Sequence, residues 1–168
     1  MTLTVHRSDP TVLLEACFAR IERERLFDVP LLNPALRVQV GAIERWDGQW
    51  LATLVTPWFL NLILVAGDAG RWRSAAEGER VFHRFAAGEL AFLGSTEPEL
   101  GEFQCCSLMS PMGPFANQAG ALATARAVLP LLHVAPAAPV AAPERVDPPA
   151  PPPPPGRPAR RVFLFGRA

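Results

Sequence analysis

The stretch from Leu36 to Val65, LRVQVGAIERWDGQWLATLVTPWFLNLILV, decides the fold class. Leu36, Val38 and Val40 alternate with Arg37 and Gln39, the two-residue period of a half-buried strand. The run reaches Trp46, and Asp47-Gly48 then supplies a tight hairpin turn, because both positions tolerate positive φ. A return strand starts at Trp50 and runs through Leu54 and Val55, where Pro57 interrupts it. A central strand cannot hold a residue that lacks an amide donor, so Pro57 marks a bend, a bulge or an edge. From Trp58 to Val65 the chain is apolar almost throughout, which predicts a strand covered on both faces.

Upstream, Asp9 and Pro10 suit the cap and first position of a helix. Leu14, Cys17, Phe18 and Ile21 form its apolar stripe, with Glu15, Arg20, Glu22 and Arg23 on the solvated side. Pro30 and Asn33-Pro34 end that segment, since the residue before a proline avoids helical angles. Downstream, Gly67 and Gly70 bracket a loop, and short strands are expected near Val81 to Phe85 and Glu89 to Leu93. Phe82, Phe85 and Phe92 read as strand interiors. A further strand spans about Glu102 to Leu108, and Asn117 caps a second helix whose buried stripe is Leu122, Ala125, Leu129 and Leu132. Consecutive strands joined by short turns and flanked by two helices indicate an α+β domain with a largely antiparallel sheet. Three regions follow: a folded domain over residues 1–133, an Ala/Pro-rich linker over 134–158 and a tail over 159–168. The linker, with five consecutive prolines at 151–155, favours an extended spacer.

Composition removes several function classes. The 16 basic and 16 acidic side chains balance, which argues against nucleic acid, whose phosphates need a clustered basic surface. The balance argues equally against strong attachment to anionic membranes. The longest apolar run, WFLNLILVA, has nine residues, against the ~20 of a membrane span. The opening MTLTVHRSDP lacks the pattern of an export signal, so a cytoplasmic protein without membrane insertion is expected.

Catalytic signatures are absent: no GxSxG, HExxH, P-loop or dinucleotide fingerprint occurs. His6, His83 and His133 lie far apart in sequence. Three cysteines without CxxC spacing make a poor zinc site, so neither metal nor cofactor is expected. Cys17 belongs to a buried helix face. Cys105 and Cys106, adjacent on a strand, point to opposite faces; they are small hydrophobes or, if exposed near positive charge, reactive thiols. TPWFLN at 56–61 reads either as core or as a rigid apolar recognition platform. Arg160, Arg161, Phe163 and Leu164 match the R-R-x-F-L core of a twin-arginine export signal at the wrong end of the chain, and read as a final strand or as an imitation of such a signal.

In order along the chain, NPALRVQVGAIERWDGQWLATLVTPWFLNLIL, CSLMSPM at 106–112 and RRVFLFGR near the end resemble three signatures of the HybE/HupJ family. The resemblance implies a non-enzymatic assembly chaperone in the maturation of [NiFe] uptake hydrogenases. Its partners would be the precursor of the large or the small subunit, the latter carrying a twin-arginine signal peptide, held until assembly is complete. Carried to this sequence, the client-binding residues are Pro57, Trp58 and Asn61 in one signature and Cys106, Ser107, Ser110, Pro111 and Met112 in the other. The tail motif would occupy the client site when it is empty. The alternative is a cysteine-dependent metal or redox accessory protein for the same maturation. Some relatives carry rubredoxin-like CxxC pairs; this chain has none.

Overall fold

The computed structural model describes residues 3–26, 29–30 and 32–136. The linker beyond Pro136 and the tail motif Arg160, Arg161, Phe163 and Leu164 lie outside the described residues.

The expected hairpin is present. Strand β1 (Gln39–Trp46) turns at Asp47 and Gly48, with φ of 46° and 82°, into β2 (Gln49–Val55). This paired positive φ is the turn whose twist suits a two-residue hairpin loop. A second turn around Pro57 leads to β3 (Leu60–Val65), every residue of which is buried. After a loop come β4 (Arg80–Phe85), β5 (Gly88–Glu97) and β6 (Gly101–Met109). All pairs are antiparallel, in the order β1-β2-β3-β6-β5-β4. The edge strands of this six-stranded sheet are thus β1 and β4.

Helix α1 (Thr11–Arg25) covers one face and α2 (Gln118–Leu132) the other. Under α1 lie Leu14, Cys17 and Phe18 with Ala52, Leu54, Ile63, Val65 and Phe103. Under α2 lie Leu122, Ala125, Leu129 and Leu132 with Leu51, Val55, Leu60, Leu62 and Leu64. A strand covered on both faces has no solvated side to leave polar, which explains why β3 is apolar at every position but Asn61. Asn117 caps α2 by accepting from Gly120 N at 2.9 Å. At α1, Asp9 accepts from Thr11 N at 2.8 Å, and Pro10 occupies the capping position, one residue ahead of the helix.

Two details depart from the period-two reading. Leu36 precedes β1 and packs under α2, whereas Val38 and Val40 face α1. A bulge at Gly41 shifts the register between Val40 and Ala42, and Thr53 Oγ1 accepts the Ala42 amide at 3.0 Å. The cause is close packing: a Cβ at Gly41 would lie 2.5 Å from Ala125 Cβ. Phe82 is a correction to the reading as a strand interior, since it is 52% exposed. It pairs with Ala91 on the α1 side of the sheet, while Phe85 and Phe92 are buried on the α2 side.

Candidate functional site

The first two family-like motifs meet at one end of the sheet. Thr56 builds the β2–β3 turn: its Oγ1 accepts from Phe59 N at 2.9 Å and donates to Phe59 O at 3.0 Å. This closes the four-residue connection that Pro57 forces on the chain. Ser110, just past β6, donates to Trp58 O at 3.0 Å and so ties the second signature to the first. Asn33 completes the junction. Its backbone amide bonds Pro57 O at 2.9 Å, and its Nδ2 donates to Met112 O and Phe115 O at 2.9 and 2.8 Å.

Burial sorts the residues carried over from the signatures. Ser107, Ser110 and Pro111 are exposed, and Trp58 and Cys106 are half-buried. Pro57 is buried, Asn61 is 6% exposed and Met112 is 0% exposed. Met112 packs with Leu36, Leu60 and Ala121, so it supports the surface from beneath. Ser107 lies directly opposite Asn61 in the β3–β6 pair. Leu108 has no partner in that pair, because the register shifts between Leu60 and Asn61; a bulge of this kind re-aims the end of a strand.

Beside this end, α1 and strands β3, β5 and β6 leave between them a groove of about 160 Å³. Phe18, Ile21, Phe59, Phe103 and Cys105 line it, with Asn61 among them. Phe59 is fixed edge-on against Phe18 and Trp58, at centroid distances of 5.8 and 5.2 Å. The Asn61 Oδ1 is buried and has no hydrogen-bond partner among the described residues. Beyond Cys105 on the same face come Leu93, 42% exposed, and on β4 the exposed Arg80 opposite it with Phe82, 52% exposed, two residues further along. An apolar surface of this kind, rimmed by polar groups, marks an interaction site.

Charge at the rim is internally paired. Arg20 bonds Glu99 at 2.5 Å, Glu97 at 2.8 Å and Glu24 at 3.0 Å, and Arg25 bonds Glu97 at 2.6 Å. The Arg20 guanidinium beside Glu99 holds that carboxyl below the usual range. Cys17 Sγ lies 3.8 Å from Glu99, and burial, aided by Glu99 and Glu97, pushes its thiol up to about 11. Cys17, Glu97 and Glu99 could meet around a cation, but both carboxylates are already engaged by guanidinium groups. Cys105 faces α1 and Cys106 faces α2, as strand alternation requires. Burial raises both thiols.

Sequence reasoning did not place Phe18, Ile21, Leu93 or Phe82 at a site, and named Phe59 only as part of the TPWFLN platform or core. One signal was available: Phe82 and Phe85 are an odd number apart, so a strand cannot bury both on one face.

A sequence model described as "[NiFe]-hydrogenase assembly, chaperone, HybE" matches residues 9–166. The chain belongs to the HybE family. The family is one of assembly chaperones and not of enzymes. The chain is similar to Protein HoxT of Cupriavidus necator, 40% identical over 92% of this chain and 87% of the relative. It is also similar to the hydrogenase expression/formation protein HupJ of Bradyrhizobium diazoefficiens, 35% identical over 70% of this chain and 68% of the relative. In fold it matches the solution structure of HybE from Escherichia coli, with a TM-score of 0.65, 22% identity, and 100% and 97% of the two chains covered. The α+β architecture inferred from the strand pattern is therefore the family's fold. No described helix is long and apolar enough to cross a membrane.

Proposed function

We propose that this chain holds a structural-subunit precursor of a [NiFe]-hydrogenase, in the cytoplasm and before export, at the motif end of the sheet. One observation carries the reading: the two signatures converge on a single surface that is apolar, half-open and rigidly braced. Trp58 and Pro111 offer rigid apolar contact, and Ser107 offers an adaptable hydroxyl. Interfaces concentrate their energy in such aromatic anchors. The charged groups at the rim are bonded to one another, which suits a surface that grips rather than one that transfers protons. The client that fits the finer reading is the small-subunit precursor with its twin-arginine signal peptide, so that grip delays export until assembly ends.

The test is co-purification. Tagged chain from cells making the hydrogenase should retain an unprocessed subunit precursor and release the processed form. Trp58→Ala and Pro111→Gly should each reduce the retained precursor by about tenfold, the loss expected for a hot-spot side chain. Equal recovery of the processed and unprocessed subunits would sink the precursor reading.

A cysteine-dependent role is the second reading. It has less support, because Cys105 and Cys106 look into opposite layers and burial disfavours both thiolates.

A further inference from the structure

The groove beside α1 specifies the chemistry of what fills it. Asn61 is 6% exposed and its Oδ1 has no hydrogen-bond partner among the described residues. A desolvated, unpaired acceptor opposes folding. A leucine there would be better tolerated by the core, so the carboxamide is held for a group that arrives from outside. The nearest charged group, Glu97, is occupied by Arg20 and Arg25. The groove therefore presents the Asn61 amide and the Ser95 hydroxyl, with Glu97 held by its arginines, amid aromatic and aliphatic walls.

Its volume of about 160 Å³ falls below the roughly 300–1,000 Å³ of small-molecule sites. It suits a single large apolar side chain. The exposed apolar side chains do not end there: Leu93 lies opposite Cys105 on β5, about 5 Å away at ordinary strand spacing, and Phe82 lies diagonally beyond it on β4, two residues from the exposed Arg80 that pairs with Leu93. An extended chain places its next inward side chain about 7 Å onward, over this uncovered part. A helix fits less well, because its backbone amides are bonded internally away from its ends. An extended segment keeps both a free N–H and a free C=O, and a carboxamide can pair with both.

Resting on the reading of this chain as a precursor binder, we propose that the groove receives an extended, uncharged apolar segment of the partner polypeptide. One large side chain enters between Phe18, Ile21, Phe59 and Cys105. The peptide group beside it pairs with the Asn61 carboxamide, and the following apolar side chain covers Leu93 and Phe82. Asn61 is thus a specificity residue for backbone, and the apolar walls select side-chain character without selecting sequence.

The experiment uses the full chain and a blocked, labelled nine-residue peptide of alternating leucine and serine. Two controls accompany it: the same peptide with N-methylated backbone amides, and a helix-forming peptide of equal composition. The plain peptide should bind, and N-methylation should weaken binding by about tenfold, the loss of one to two amide hydrogen bonds. Asn61→Leu should bind the plain peptide about tenfold more weakly while unfolding at a higher temperature. A merely structural asparagine would give a lower unfolding temperature instead. Should the helical peptide bind more tightly, should N-methylation have no effect, or should Asn61→Leu leave peptide binding unchanged, the proposal is overturned. Peptide binding without retention of a hydrogenase precursor from cells would overturn the functional reading above and leave the groove assignment standing. Retention of the precursor with no peptide binding would do the reverse.

Discussion

At the scale of single residues, this molecule is defined by side chains whose polar atoms are engaged and by a few that are not. Thr56, Asn33 and Ser110 each satisfy backbone groups that the proline-containing turns leave without a ladder partner. Asn61 does the opposite, leaving its acceptor buried and unpaired. The cysteines follow the same logic of burial. Desolvation disfavours a thiolate, so the pKa rises and the nucleophilic form becomes scarcer at a given pH. Iodoacetamide at pH 8 should therefore modify Cys17, Cys105 and Cys106 of the folded chain far more slowly than those of the chain in denaturant. The rate at Cys17 should climb only as pH approaches its value of about 11. Rapid labelling of Cys105 or Cys106 at neutral pH would restore the cysteine-dependent reading. Single-residue properties of this kind were only partly legible beforehand. That Cys105 and Cys106 face opposite ways follows from strand geometry alone. That Met112 is sealed beneath Leu36 and Leu60 does not, because the residues that cover it come from distant parts of the chain.

At the scale of elements, the bulge at Gly41 governs how α2 meets the sheet. Thr53 reaches back to the Ala42 amide that the bulge frees, and α2 comes in close over the glycine. Adding a methyl group here overpacks the contact, at a cost of about 1–3 kcal/mol. Gly41→Ala should lower stability in urea unfolding by that amount. Combining it with Ala125→Gly should cost less than the two single changes added together, because the second change removes the clashing Cβ at 2.5 Å. Strict additivity would place the strain elsewhere. The elements themselves were well marked in sequence. Asp47-Gly48 announced the hairpin, Asn117 announced α2, and the apolar run of β3 announced its burial on both faces. The bulge was not announced, since a glycine between valine and alanine reads as strand until the helix above it is known.

At the scale of the whole molecule, the described sheet has two edges, and side chains engage backbone groups of both. On β1, Glu15 accepts the Val40 amide at 2.9 Å, Gln118 accepts the neighbouring Arg37 amide at 3.0 Å, and Arg126 donates to Gly41 O at 3.3 Å. On β4, Arg73 donates to Phe82 O. Capped edges resist pairing with another strand. Among the described residues, the buried members of the hydrophobic clusters run from Leu14 to Leu132. A chain ending at Pro136 should therefore unfold at the same urea midpoint as the full chain. A clear drop would show that the tail adds a strand to the sheet.

The sequence by itself determined the α+β class, the two helices, the hairpin at Asp47-Gly48 and the motifs that place the chain in its family, because all of these depend on neighbours a few residues apart. Tertiary structure alone decided that Asn33, Pro57, Trp58 and Ser110 share one junction, and that α1 leaves part of its face of the sheet open. It also decided that the Asn61 Oδ1 has no hydrogen-bond partner among the described residues. These properties depend on strand order and helix placement, which bring together atoms separated by dozens of residues, and no local pattern carries that information.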